Sequence, residues 1–400
     1  MIAAGRAAQC GADVLLLERG TSLGRKLRIS GKGRGNITNT ADIPEFVEAF
    51  SPSGKFLYGT FSRFFRDELL DLLAEQGVAT KVERGGRIFP KSDRAGDVVE
   101  ALERWLTASG VKVMLNSRVK SLEIADGRVV GVKLYAGRME ADAVIIATGG
   151  ASYPKTGSTG DGYTFAREAG HTIVPPRPAL SALVTQEKWV KEAQGLALKN
   201  VEATLFLQSE GQARPRKVAA EFGEMLFTHF GVSGPIILTL SRGMADLLEQ
   251  GRVYLSIDLK PALTREQLHA RLIRDFAQTK YFRNYLRELL PASLVEPFIY
   301  LAEVEGDKPV NSVTAAERNR IVELLKDLRV TITGMGSLEE AIVTAGGVAI
   351  GEIDSRTMMS KLVEGLFFAG EVIDIDAKTG GFNLQAAFST GYVAGEAAAS

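Results

Sequence analysis

The sequence predicts an α/β protein: a three-layer domain around a mostly parallel sheet with a β-meander, built from both chain ends and carrying an inserted α+β domain. Three observations predict it. Leu366-Phe367-Phe368-Ala369 is a short run, apolar on both faces, that stops at Gly370, as a strand buried in a parallel sheet does. Residues 2–10 are a helix-forming run of small residues ended by Gly11 and followed by the apolar strand 14–17, the back half of a β-α-β unit. Between about 180 and 340 the pattern changes to strands mixed with amphipathic helices.

Taken in order, strand 14–17 ends at Glu18. In dinucleotide-binding folds an acid at the end of the second strand accepts ribose hydroxyls about 20 residues after a Gly-x-Gly-x-x-Gly turn. Only 17 residues precede Glu18, so the first strand and the glycine turn are expected to be missing from the chain as written. Weak or absent cofactor binding is the expected consequence, and an in-frame strand and glycine turn are expected in the coding DNA upstream of Met1. Residues 23–39 then set the alternate glycines Gly31, Gly33 and Gly35 among basic side chains, a flexible loop friendly to anions. It lacks the Gly-Lys-Ser/Thr ending of a Walker loop, and composition alone reads it as a solvated basic loop.

Amphipathic helices are predicted at 61–77 and 94–109, the second carrying Val99, Leu102, Trp105 and Leu106 at helical spacing before Gly110. Strands are predicted at 111–115, 119–124, 129–134 and 143–147, with Asp126-Gly127 as a hairpin turn, so a meander interrupts the parallel sheet. Residues 153–162 form a glycine-rich loop feeding a helix at 163–169. Val174-Pro175-Pro176-Arg177-Pro178 stiffens the backbone, deletes three amide donors and is the predicted exit from the first domain. In the insert, strands at 183–184, 201–207, 217–219 and 253–259 mix with helices at 236–248, 265–277, 293–301 and 315–328. Residues 342–349 re-enter the first domain through Gly346 and Gly347, whose adjacency marks backbone passing close to something flat.

After the final strand come Glu371, an acidic loop, Thr379-Gly380-Gly381 and a helix in which Asn383, Ala387, Gly391 and Gly395 recur every four residues. That face has almost no bulk, and the two glycines let the free N–H groups and positive dipole end of the helix approach an electron-rich ligand edge. We read this end as a cofactor cradle. The predicted domains are 1–178, 179–340 (about 260–328 mainly helical) and 341–400, the first and last forming one cofactor domain.

Gly370-Glu371 followed by Thr379-Gly380-Gly381-Phe382-Asn383-Leu384-Gln385-Ala386-Ala387 resembles the closing segment of flavoproteins of the two-dinucleotide-binding-domain type. Gly24-Arg25-Lys26-Leu27, then Ser30-Gly31-Lys32-Gly33-Arg34-Gly35-Asn36-Ile37-Thr38-Asn39, resembles the signature of the BaiN-like or aminoacetone-oxidase-like flavoproteins. Ala147-Thr148-Gly149-Gly150, the phrase from Tyr153 to Gly162 and that from Gly223 to Pro235 extend the resemblance over essentially the whole chain. It implies a Rossmann-like FAD-binding domain whose insertion, part β-barrel-like and part helical, roofs the flavin. It also implies an FAD-dependent oxidoreductase acting on a small organic substrate.

By that resemblance FAD is held first by Glu18, Arg19, Lys26, Ser30, Gly31, Gly33, Arg34 and Asn36. The middle of the chain adds the backbone of Val119 at the adenine, with Thr148, Gly149, Gly150 and Asp161. The closing segment adds Gly347, Gly370, Glu371, Asp374, Gly381, Asn383 and Leu384. Glu371 is expected at the ribityl chain, and the backbone of Gly347, Gly381, Asn383 and Leu384 at the flavin ring. Family members commonly carry Cys before the Asn; here the residue is Gly35, so a thiol has no role. His229 is a candidate proton shuttle, with a structural histidine as the alternative, and His171 and His269 are weaker candidates.

Lys plus Arg and Asp plus Glu both count 48, so no global field draws the chain to nucleic acid or an anionic membrane, and only a local basic groove stays open. One cysteine, Cys10, excludes an intramolecular disulfide and suits a reducing cytoplasm. No Cys/His cluster has zinc spacing, no apolar run approaches the roughly 18 residues that span a bilayer, and no signal-peptide pattern opens the chain. No second glycine fingerprint for a nicotinamide appears, which favours dioxygen or a small acceptor over a dedicated NAD(P)H domain, although a nicotinamide can bind without one, so dioxygen and NAD(P)H both stand as redox partners. Amine oxidation and reduction of an enone-type steroid ring both fit. Two rivals stand beside them: a flavin-dependent tRNA-modifying transferase, which calls for a basic stripe with aromatics, and a non-enzymatic remnant that has lost FAD binding.

Overall fold

Leu366–Phe368 is a strand buried along its whole length and paired in parallel with Val144–Ile146. Leu15–Leu17 pairs in parallel with Lys112–Met114, and the Glu18 N–H extends that ladder to Met114 O at 2.9 Å. These strands belong to a computed structural model that describes residues 1–135 and 137–400. The chain divides into two units, residues 1–179 with 338–400 and residues 180–337.

In the first unit the closing helix Phe382–Ala398 lies against the opening helix Ile2–Gln9. A Cβ added at Gly395 would meet Ala3 O at 2.2 Å, and one at Gly391 would meet Ala3 N at 3.5 Å. The carboxyl half of the small-residue stripe therefore serves helix against helix, and only its amino half is left for the cradle. Beneath the start of that helix, Phe46 packs against Phe61, Phe65 and Phe382 with ring centroids 5.5, 4.9 and 4.5 Å apart.

Several local expectations are corrected. The stretch read as one helix at 61–77 is two, Tyr58–Arg63 and Arg66–Glu75, because Phe64 is extended and Glu68 accepts the Phe65 N–H at 2.9 Å to start the second. The proline run is a strand, Ile173–Ala179, antiparallel to Val343–Val348. Its register shifts between Val174 and Arg177, so Pro175 and Pro176 sit where the ladder needs no donor. The meander has a third strand, Gly137–Glu140, too short and polar to show alternation. A small sheet of Thr38–Asn39, Arg87–Pro90 and Thr80–Glu83 was not expected at all.

The second unit is a closed antiparallel barrel in the order Leu183–Thr185, Gly231–Ser233, Arg216–Phe227, Ala197–Ser209, Gly251–Asp258, Leu328–Met335. The predicted helix 236–248 breaks at Gly243, whose φ of +68° is left-handed, into Pro235–Leu240 and Met244–Gln250. Helices Arg265–Asp275, Phe282–Leu289, Ala292–Ala302 and Ala315–Lys326 complete it, and the Thr264 and Thr314 side chains cap two of them.

In the first unit, buried His171 sits with Nε2 2.8 Å from Ser360 Oγ and Nδ1 3.2 Å from Glu352 Oε2. Ser360 Oγ already accepts the N–H groups of Leu362 and Val363, so its O–H donates to Nε2, and Nδ1–H donates to Glu352. Burial pushes the imidazole pKa below its ordinary value, against the pull of Glu352. A histidine with a depressed folded pKa adds stability above its unfolded value, about 6.5, and that stability is lost as the pH falls further. Urea midpoints taken at about pH 7.5 and about pH 5.5 should therefore fall more steeply in the natural chain than in His171→Asn. Equal slopes would show that the histidine does not set the acid response.

Candidate functional site

A continuous series of contacts joins the acid of the first chain end to that of the last. Glu18 Oε1 accepts the Gly20 N–H at 2.6 Å, a tight turn that fixes the carboxylate at its strand end. The neighbouring Arg19 donates to Asp161 Oδ2 at 3.0 Å, and Arg118 forks onto both oxygens of Asp161 at 3.1 Å. Asp161 opens the helix Asp161–Glu168, where a carboxylate complements the helix dipole. Gly162, next along, has no room for a Cβ, which would meet Thr148 Oγ1 at 2.2 Å. Gly150 is likewise closed in, by Thr344 Oγ1 at 2.4 Å and the Glu371 carboxyl carbon at 3.1 Å. Glu371 then accepts the Thr344 N–H at 2.7 Å, Lys26 Nζ, and Ser152 Oγ at 3.3 Å, while Lys26 also donates to Ser152 Oγ at 2.8 Å.

The second part of the site is the start of the closing helix. Gly380 and Gly381 take left-handed φ values of +129° and +98°, and no side chain caps the helix. Asn383 turns back, accepting the Ala377 N–H at 2.9 Å and donating to Ala377 O at 3.0 Å, so it holds the acidic loop. The Asn36 amide accepts the Gly381 N–H at 3.0 Å and donates to Thr38 O at 3.3 Å. Thr38 Oγ1 and Gln385 Oε1 are buried without a hydrogen-bond partner among the described residues, and the buried Tyr163 hydroxyl lies against Thr344. Burial, with the charge of Glu371 second, holds the Tyr163 phenol well above its usual pKa, so it is a neutral donor. An uncapped helix of 17 residues, unpaired buried polar atoms and acids at two strand ends fit a flat, phosphate-bearing nucleotide cofactor.

The structure brings Glu18, Arg19, Lys26, Thr148, Gly150, Asp161 and Glu371 into one connected group, with Gly149 and Gly370 beside it. Asn36, Gly381, Asn383 and Leu384 gather at the helix start. Others expected there are engaged elsewhere. Arg34 is tied to Glu83 and Asp93 and lies over the Phe89 ring at 4.3 Å. Ser30 Oγ donates to Leu27 O at 2.7 Å, Gly31 is packed on Asn36 N, and a Cβ at Gly33 would meet Arg28 O at 3.9 Å. Val119 opens a meander strand. Gly346 and Gly347 give way to the main-chain oxygens of Pro175 at 2.5 Å and Val372 at 2.6 Å, so what passes close to them is the protein's own backbone. Burial, then the nearby Asp376, raises the Asp374 carboxyl pKa. His229, in the second unit, is exposed, with its ring edge-on to Phe230. Ser152, Tyr163, Thr344 and Arg118 were missed. A Thr within an apolar strand carries no signal of its own, but Arg118, directly before Val119, was open to notice.

The fold and this connected group define a Rossmann-like flavoprotein oxidoreductase. The family description "HI0933-like protein Rossmann domain" matches residues 1–397, and the chain belongs to that family. It is 32% identical over 392 residues to the 3-dehydro-bile acid delta(4,6)-reductase of Clostridium scindens, an alignment covering 97% of this chain and 93% of the relative. It is 30% identical over 397 residues to the ribosomal RNA dihydrouridine synthase of Escherichia coli, covering 98% and 93%. Among solved structures, the FrdA subunit of Escherichia coli quinol fumarate reductase superposes with a TM-score of 0.51 at 15% identity over 100% of this chain and 68% of that one, a likeness of fold alone. Among the described residues, no helix is long and apolar enough to cross a membrane, and no group of three or more His, Cys, Asp or Glu side chains is placed to hold a metal ion.

Proposed function

We propose that this chain is an FAD-dependent reductase that saturates a carbon–carbon double bond conjugated to a carbonyl. One observation carries the reading: the two relatives act on unlike molecules, a 3-dehydro-bile acid and a uridine in RNA, yet both names denote addition of hydrogen to a carbonyl-conjugated double bond. When bound, FAD supplies the hydride. The protein supplies the hold. Glu18 accepts the ribose hydroxyls of the adenosine half, Glu371 with Lys26 and Ser152 holds the ribityl chain, and the start of the helix Phe382–Ala398 presents N–H groups to the pyrimidine edge of the ring. The Thr148-Gly149-Gly150 backbone lies between the two acids, and the neutral Tyr163 hydroxyl beside Glu371 remains a donor across the working pH range.

The test starts from the flavin released on denaturation, which chromatography should identify as FAD. The bound flavin is then reduced without oxygen and offered cyclohexenone, a steroid enone or a uridine oligonucleotide. The reading expects the oxidised absorbance to return with at least one of these, and the product to gain two hydrogens. Bleaching of the oxidised flavin by a primary amine with peroxide release, and no reoxidation by any conjugated substrate, would replace it with amine oxidation.

A further inference from the structure

We propose that the outer face of the barrel in residues 180–337 is a binding surface for single-stranded RNA. Strand alternation settles which side chains face out: Leu205, Leu207, Val253 and Leu255 are at most 1% exposed and fill the barrel, so Phe206 and Tyr254 between them point outward. The register then sets Lys217, Phe206, Tyr254 and Thr331 in one row across four neighbouring strands, as the pairs Phe206 with Lys217, Phe206 with Tyr254, and Tyr254 with Thr331. Two half-buried rings lie on the same face of adjacent paired strands, whose backbones run roughly 5 Å apart, so both are offered on one side of the barrel where successive bases can stack.

Cations frame the rings. The Arg329 guanidinium lies 5.8 Å from the Phe206 ring centroid, Arg252 reaches the Tyr254 hydroxyl at 3.5 Å, and Lys217 closes the row. The Tyr254 O–H donates to Gln208 Oε1 at 3.1 Å, so a polar amide borders the platform too. Of the acids, Asp327 is held by Arg329 at 2.8 Å and by the Ser256 hydroxyl at 2.6 Å, and Asp258 pairs with Lys326 at 2.5 Å. Glu202 lies farther along the face, opposite Phe222. At the far end of the row Glu187 accepts the Thr331 N–H at 2.8 Å. Among the described residues Lys217 and Arg252 form no ion pair, and with Arg329 they outnumber Asp327 and Glu187, so the aromatic strip meets a polyanion with net positive charge.

Aromatic rings on exposed strands with interleaved cations match single strands. A duplex hides its base faces and offers only backbone, and an acidic protein offers no bases to stack. The surface lies wholly within residues 180–337 and does not depend on the conjugated-bond reading.

Fluorescence anisotropy of the full chain with a short labelled uridine-rich RNA at about 50 mM and about 200 mM salt tests the surface. Saturable binding is expected, weakened about tenfold or more in Phe206→Ala with Tyr254→Ala, with a smaller salt slope in Lys217→Gln with Arg252→Gln. Phe206→Tyr and Tyr254→Phe, which keep a ring at each place, should bind as the natural chain does, and circular dichroism of the alanine variant should be unchanged. Absence of saturable binding, equal affinity for polyglutamate or double-stranded RNA, or an alanine variant that is folded and binds fully would each overturn the proposal. Reduction of cyclohexenone by the alanine variant reads the proposed function separately from this surface.

Discussion

Glu371→Gln is expected to weaken flavin binding by about tenfold or more and to lower the stability of the flavin-free first unit. The carboxylate collects three donors, the Thr344 N–H, Lys26 Nζ and Ser152 Oγ, on side chains 17% and 29% exposed for Glu371 and Lys26. An amide of the same shape keeps one oxygen but turns an NH2 toward the remaining donors, and it leaves the lysine without its anion. Removing one member of a buried ion pair costs about 3–5 kcal/mol; with this much solvent access about 1–2 kcal/mol is the reasonable figure, a factor of roughly 5–30. Charge-assisted bonds are the strong ones, so the loss falls on binding as well as on folding. Flavin fluorescence titration reads the first effect and the urea midpoint without flavin the second. Lys26→Met added to Glu371→Gln should cost less than the sum of the two single changes, because it removes the stranded cation. A variant with natural flavin affinity would remove Glu371 from the cofactor site.

What could be read from the sequence follows from where each signal is local. The strand Leu366–Phe368 was legible because a run apolar on both faces has no solvent side, and the structure buries all of it. Glu18 and Glu371 were legible by position, each just after a short apolar run. The bond from Lys26 to Glu371 was not, since its partners are separated by 345 positions and only folding brings them together. Glycine showed that something passes close by but not what does: Gly395 admits Ala3, Gly347 admits the Val372 carbonyl and Gly381 admits Thr38, all protein. The proline run stands where the first unit's opening segment ends at Ala179, and its pairing as a strand was not legible because a bulge excuses the missing donors. Balanced charge hid the barrel face for a simple reason. A sum over the chain cannot register that strand pairing collects Lys217, Arg252 and Arg329 around two rings.

Gly381→Ala should lower the melting temperature of the first unit by roughly 4–20 °C and abolish flavin retention. The glycine has φ +98°, where an L side chain already costs about 1–2 kcal/mol. Its Cβ would also stand 2.3 Å from Thr38 O and 2.5 Å from Thr38 C. That carbonyl has little freedom to retreat. Thr38–Asn39 is a strand paired with Arg87–Pro90, and the Asn39 side chain donates to Gly85 O at 3.0 Å and to Gly380 O at 2.9 Å, pinning sheet and helix start together. Overpacking of this kind adds about 1–3 kcal/mol, for a total of about 2–5, and each kcal/mol moves the midpoint of a domain this large by about 2–4 °C. Gly77→Ala separates the two causes, for Gly77 has φ +81° and nothing within 4 Å of an added Cβ, so only the dihedral cost applies. Differential scanning calorimetry that resolves the transition of each unit should show a small shift for Gly77→Ala and a large one for Gly381→Ala. Equal shifts would mean that the start of the closing helix is not held against Thr38, and the cradle built on that contact would lose its floor.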